Sequence, residues 1–285
     1  TKTQAAFQIH QLNRFTNTVN KNLRNAKHRS FFIKDICHRL SNNSQEWNKN
    51  PYLFAFENVI FNLKTGKQVI SDPDDYINMT CGYEYDFNYP KEERMGKLYE
   101  IIKTILVDEE LREYYLEILS SGMCGIQVQK IFIATGKGGN GKSQINGLAS
   151  KTMGNYAYDL PSQLVSEKLK TGPNPEAANM DMKRLVFFSE PDANRTLCCS
   201  VLKVFSGEPT LNVRKCFSNK TGISLNLTLI GAMNEKPQLD EVNDAVSRRM
   251  KGGIIPFNSK FVDKPAIDKY IQENDHEPEH TFVAN

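Results

Sequence analysis

The sequence predicts an α/β protein built on a mainly parallel sheet, preceded by a helical segment and a small α+β region. Three observations carry this. Four apolar runs, at 130–135, 184–188, 225–233 and 253–257, have the length and β-branched or aromatic content of buried strands. Polar residues stand at the ends of three of them: the glycine-rich stretch from Gly136, Ser189-Glu190, and Asn234. Helix-forming stretches alternate with the runs. Buried strands with polar tips suit a parallel sheet covered on both faces, with its chemistry at the strand ends.

Taken in order, residues 1 to about 45 read as helical, polar and basic. The stretch 52–66 reads as two short strands joined by a turn, and a second turn at Lys64-Thr65-Gly66 leads into Gln68-Val69-Ile70. Polar loops at 71–75 and 88–90 follow, and Pro90 marks a boundary. Between 91 and 123, Leu98, Ile101, Ile102, Ile105 and Leu106, then Leu111, Tyr115, Ile118 and Leu119, recur at helical spacing. They predict two amphipathic helices, with Asp108 capping the second. The stripe reads as core, with an oligomer surface as the alternative. From Gln127 onward strand and helix alternate, with a helix over 141–153.

The chain has 285 residues, 39% of them hydrophobic, so it can bury a real core. Its net charge of +3 is too mild to announce a nucleic-acid partner. The distribution says more: through residue 50 there are nine Lys/Arg against Asp35 and Glu46. That arm suits a phosphate backbone, an acidic partner or plain solvent. Six cysteines show no C-x-x-C spacing, and adjacent Cys198 and Cys199 make a poor disulfide framework. A reducing, intracellular compartment is expected. No apolar run approaches the ~18 residues of a membrane span, so no membrane partner is expected. His276-Glu277-Pro278-Glu279-His280 matches a zinc-protease pattern only in letters, because Pro278 breaks the helix that would align the imidazoles.

The segment Gly136-Lys137-Gly138-Gly139-Asn140-Gly141-Lys142-Ser143 follows the first strand and matches G-x-x-x-x-G-K-S. Its glycines let successive N–H groups curl toward phosphate oxygens, and a helix beginning near Gly141 adds its positive end. Lys142 would reach the β- and γ-phosphates, and the Ser143 hydroxyl would join the shell of a Mg²⁺ ion. ATP and Mg²⁺ are the expected ligands. Glu190, at the next strand's tip, suits polarisation of an attacking water and outer-shell support of the ion. Asn234, at the following tip, suits a polar contact to the same water or the γ-phosphate. Arg248 and Arg249 come next, either of which could neutralise transition-state charge from a neighbouring subunit.

The order of these features resembles the superfamily 3 helicases of DNA viruses and plasmids, and most closely their poxvirus-type primase-helicase branch. The resemblance lies in TGKGGNGKS at 135–143, TGPNPEAAN at 171–179 and KRLVFFSEP at 183–191. It continues through Leu202-Lys203, Ser206-Gly207-Glu208, Asn234-Glu235-Lys236-Pro237, and Arg248-Arg249 with Ile255-Pro256-Phe257. Upstream, LFAFEN at 53–58, KTG at 64–66, Asp75-Tyr76 and Gly82-Tyr83 resemble the branch's N-terminal segment. The resemblance spans roughly 50–265.

It implies an AAA+-like P-loop ATPase domain at 127–285, a helical collar or oligomerisation segment at 91–126, and a basic accessory region at 1–90. It also implies a homo-hexameric ring with ATP at subunit interfaces and single-stranded or forked DNA in its channel. Viral replisome proteins would be partners, at a replication site inside the host cell, in its cytoplasm. A DNA-tracking hairpin would fall at 214–222, where Arg214, Lys215, Phe217 and Lys220 could grip a strand. At its entry, Ser206-Gly207-Glu208-Pro209 departs from the family pattern, in which an Asp is common. An ATPase that packages DNA or remodels protein without unwinding is the alternative. Primer synthesis is not expected of this chain, because Asp72, Asp74 and Asp75 lie around a proline turn.

Overall fold

The computed structural model describes residues 2–40, 47–70, 72–169, 172–191, 196–214, 222–241, 244–274 and 278–283. They belong to two compact units, Thr1–Glu46 and Trp47–Asn285.

The first unit holds helices α1 (Lys2–Arg24) and α2 (Ala26–Leu40). Side chains make their junction. Asn25 Oδ1 accepts the Lys27 N–H at 2.9 Å, opening α2. The Arg29 guanidinium donates to the Leu23 and Arg24 carbonyls, closing the carbonyl end of α1.

The second unit opens with an antiparallel meander of β1 (Leu53–Ala55), β2 (Ile60–Asn62) and β3 (Lys67–Val69). Gly66, at φ 64°, makes the turn expected after Lys64. Asp72 caps the single turn Pro73–Asp75, and the Asp75 carboxylate returns the bond, as the proline-turn reading requires. Helix α3 (Lys91–Ile105) starts directly after Pro90. Helix α4 (Glu109–Ser121) is capped by Asp108, which accepts the Leu111 N–H at 2.7 Å.

The chain then enters β4 (Ile131–Thr135), α5 (Lys142–Met153) and β5 (Ala157–Leu160). Two single-turn helices, α6 (Gln163–Ser166) and α7 (Pro175–Ala178), precede β6 (Leu185–Ser189) and α8 (Cys199–Gly207). A short antiparallel pair, β7 (Thr210–Leu211) and β8 (Ile223–Ser224), precedes β9 (Thr228–Met233), α9 (Asp244–Met250) and β10 (Ile254–Pro256). Last come β11 (Lys260–Val262), α10 (Lys264–Asn274) and β12 (Thr281–Val283), with β11 and β12 paired parallel.

The central sheet has the order β10-β4-β9-β6-β5, and every neighbouring pair is parallel. The four expected runs are β4, β6, β9 and β10. β9 starts later than its run because the Leu225 N–H donates to the Pro209 carbonyl, outside the sheet. Side chains alternate between the faces with the period of a strand. Ile131 and Ile133 pack with Val186, Leu229 and α8 residues Leu202 and Phe205 on one face. Phe132 and Ala134 pack with Phe187, Ile230 and Ile145 on the other. The α3–α4 stripe joins this second core through Ile102, Ile105, Tyr115 and Ile118, all buried. Each such apolar side chain contributes roughly 1.5–3 kcal/mol by leaving water. The stripe is core at these positions, as its periodicity suggested, whereas Ile101 is exposed on the outer face of α3.

Buried Arg184 ties the meander to the sheet. Its guanidinium donates to the carbonyls of Leu53 (2.8 Å) and Met123 (2.7 Å) and lies 4.5 Å from the Tyr156 ring centroid. One side chain, placed just before β6, thereby holds the start of β1 and the segment that follows α4.

Candidate nucleotide-binding site

The tips of β4, β6 and β9 lie side by side because β9 pairs with both neighbours. The chain leaves β4 through Gly136, whose N–H donates to the Met233 carbonyl of β9 at 3.1 Å. Gly136 has φ 148°, and a Cβ there would lie 2.4 Å from the Phe257 carbonyl oxygen. Gly141 takes the left-handed conformation as the residue capping α5, against the side chain of Ile105. Gly138 corrects the expectation that all four glycines shape the curl. It has no positive φ, and a Cβ there would meet no protein atom within 4 Å.

Asn140 is the brace of this loop. Its buried amide donates to the Phe257 carbonyl at 3.3 Å, and its Oδ1 accepts both the Lys142 N–H (3.3 Å) and the Lys142 ammonium (3.2 Å). The ammonium also donates to the Gly136 carbonyl. Below the loop, the Phe261 N–H donates to the Gly139 carbonyl at 2.6 Å. The segment 257–261 therefore cradles 136–140. Sequence reasoning found Ile255-Pro256-Phe257 as a strand and missed the cradle that follows it.

Lys142 is buried, and desolvation pulls its ammonium below the ordinary lysine pKa while the Glu190 carboxylate pushes it back up. Ser143 follows, exposed at the first turn of α5. A Mg²⁺ ion bound with a nucleotide would find that hydroxyl at the start of α5, and would draw its other ligands from phosphate and water. Glu190, exposed at the tip of β6, accepts the Asn234 N–H at 3.0 Å, and its own N–H donates to the Ala232 carbonyl at 2.9 Å. Lys142 at the start of α5, Glu190 after β6 and Asn234 after β9 thus converge. The loop residues Lys137 and Gly139 lie within the same turn.

Arg248 and Arg249 have different surroundings. Arg249 donates to the Ala245 carbonyl within α9, and its Nη2 lies 2.4 Å from where a Cβ on Gly207 would stand. Its side chain is packed on α8. Arg248 is exposed on the same helix. Arg214, also exposed, ends the described part of the β7–β8 hairpin, and its carbonyl accepts the Asn174 N–H at 3.0 Å. Lys215, Phe217 and Lys220 lie outside the described residues, as do His276 and Glu277.

Residues 4–108 match the family model described as D5 N terminal like. The chain is 29% identical over 228 residues to the putative helicase L207/L206 of Acanthamoeba polyphaga mimivirus, covering 79% of this chain and 24% of that protein. It is 30% identical over 226 residues to Primase D5 of Fowlpox virus, covering 74% and 28%. It is 31% identical over 249 residues to the uncoating factor OPG117 of Vaccinia virus, covering 81% and 31%. The chain belongs to the superfamily 3 helicases, in their poxvirus D5-like branch. It spans about a quarter to a third of the length of these relatives. Among solved structures, the NrS-1 C-terminal region in its apo A form aligns over 80% of this chain and 52% of that one, at 15% identity and a TM-score of 0.49. The largely parallel sheet of this superfamily 3 chain is that of an AAA+/RecA-like ATPase fold.

Proposed function

We propose that this chain is the ATP-hydrolysing motor module of a DNA helicase that replicates the genome of a large DNA virus inside the infected cell. The convergence of Lys142, at the start of α5, with Glu190 and Asn234, at the tips of β6 and β9, carries the proposal. The N–H groups of 136–143 and the Lys142 ammonium bind the triphosphate, with Ser143 toward Mg²⁺. Glu190 orients the attacking water, the Asn234 N–H holds the Glu190 carboxylate, and the Asn234 side-chain amide is the polar contact to the water or the γ-phosphate. The exposed Arg248 is the residue that serves a neighbour's site, because Arg249 is held within its own chain. Subunits therefore assemble as a closed ring, a hexamer in this family, with segment 91–126 as its helical collar and 1–90 as an accessory region. Single-stranded DNA would be gripped by Arg214, Lys215, Phe217 and Lys220, through backbone charge and base stacking.

The test is ATP hydrolysis with and without single-stranded DNA. Stimulation by DNA is expected, with losses of at least ~100-fold for Lys142→Ala and Glu190→Gln. Undiminished hydrolysis by Lys142→Ala overturns the assignment. The name of the Vaccinia relative, an uncoating factor, favours a second reading in which the same motor remodels an assembly without unwinding. Strand separation on forked DNA, present or absent in a hydrolysis-competent ring, separates the two.

A further inference from the structure

The phosphate chemistry leaves the stretch TGPNPEAAN at 171–179 without a role. Its place in the fold is at the base of the β7–β8 hairpin. The hairpin's ladder has two residue pairs, Thr210 with Ser224 and Leu211 with Ile223. An isolated two-stranded ribbon is marginal in water, so a ladder this short cannot by itself fix the direction of the loop it carries.

Both limbs are held from outside the ladder. The Asn174 N–H donates to the Arg214 carbonyl at 3.0 Å, and Asp181 Oδ1 accepts the Ser224 N–H at 3.2 Å. We propose that segment 174–181 is the anchor that aims the DNA-gripping hairpin, with Asp181 as a positioning residue that acts on DNA through it. The inference rests on the reading of 214–222 as the DNA grip and adds the element that directs it.

Three features fit the segment for this. It is stiff: Asn174 Oδ1 accepts the Ala177 N–H at 3.0 Å, capping α7, and the Tyr158 hydroxyl of β5 donates to the Glu176 carbonyl at 3.2 Å. Ala177, Ala178 and Met180 are buried in one core with Phe188 and Leu225. It also comes from between β5 and β6, whereas α8 and β9 flank the hairpin in the chain. A hold from there fixes an orientation that the flanks leave open, and a carboxylate is a strong acceptor for the backbone N–H it meets. Finally, Asp181 stands just ahead of β6, whose tip carries Glu190. The anchor and the hydrolytic carboxylate therefore sit at the two ends of one strand, and strain on the hairpin is passed to the strand that holds Glu190.

The experiment compares wild type, Asp181→Ala, Asp181→Asn and Asn174→Ala. It measures binding of a fluorescent oligodeoxythymidine by anisotropy, ATP hydrolysis with and without that strand, and hydrogen exchange of the Ser224 amide. Asp181→Ala is expected to weaken oligonucleotide binding about tenfold and to remove most of the stimulation by DNA. Its hydrolysis without DNA should stay within about twofold of wild type, while its Ser224 amide exchanges faster. Asp181→Asn keeps the accepting oxygen and should match wild type in all three measurements. Asn174→Ala loses the α7 cap and should weaken binding about threefold. Unchanged binding in Asp181→Ala, an equal loss in Asp181→Asn, or a fall in DNA-free hydrolysis as large as the fall in binding would overturn the anchor while leaving the hairpin reading intact. Oligonucleotide binding that survives Lys215→Ala combined with Lys220→Ala would overturn the hairpin reading itself, and this inference with it.

Discussion

At the residue scale, the site separates groups the fold requires from groups only a ligand requires. Gly136 is of the first kind, since a Cβ would strike the Phe257 carbonyl and the Asn140 amide together. Gly136→Ala should cost about 1–3 kcal/mol of strain and lower the melting temperature. Gly138 faces open space, so Gly138→Ala should melt within about 1 °C of wild type while slowing hydrolysis. Thermal melts of the two variants check the contrast, and an equal fall in both would refute it. Lys142 belongs to the second kind. Its folded pKa lies below its unfolded value because burial disfavours the ammonium. Between those two values the unfolded chain holds more protons, so this group's contribution to stability rises with pH through the alkaline range. Below the folded pKa the full cost of the buried charge is present. Lys142→Met should therefore lose nucleotide binding, remain at least as stable at neutral pH, and lack the wild type's alkaline increment. Denaturant titrations from neutral to alkaline pH measure this.

At the element scale, legibility followed how local the signal was. β4, β6 and β9 are mostly apolar runs covered on both faces, so hydrophobicity alone marks them, and the partly buried edge strand β10 is marked by Ile254-Ile255. The edge strand β5 is Ala157-Tyr158-Asp159-Leu160, too short and too mixed to stand out, and it is a strand because β6 offers a parallel partner. Asp108 as a cap was legible because capping is a contact three residues long. Arg184 was not, because its partners are Leu53 and Met123, far away in the chain. Burial also pulls its guanidinium below the ordinary arginine pKa, a cost the two carbonyls and the Tyr156 ring offset. Arg184→Met leaves both carbonyls buried without a donor and should destabilise the second unit by about 2–4 kcal/mol. Equilibrium denaturation gives that figure, and a loss under about 0.5 kcal/mol would show that the clamp is idle.

For the whole molecule, the motif residues were legible and their division of labour was not. The order of phosphate loop, Glu190, Asn234 and the arginine pair is written in the chain, and the parallel sheet gathers the first three at neighbouring tips. Which arginine is free depends on whether α8 presents a glycine to it, and Gly207 lies 42 residues before Arg249 in the chain. Arg249→Ala should accordingly lower stability and spare a neighbour's hydrolysis, whereas Arg248→Ala should melt like wild type and lose activity at least ~10³-fold.

The central claim is that one subunit's phosphate loop is completed by Arg248 of the next. Mixing Lys142→Ala subunits with Arg248→Ala subunits, each inactive alone, tests it directly. In a head-to-tail ring, roughly a quarter of randomly formed interfaces would pair an intact loop with an intact arginine. Recovery of ATP hydrolysis on mixing is the expected result. A mixture as inactive as its two components would show that Arg248 does not act across the interface.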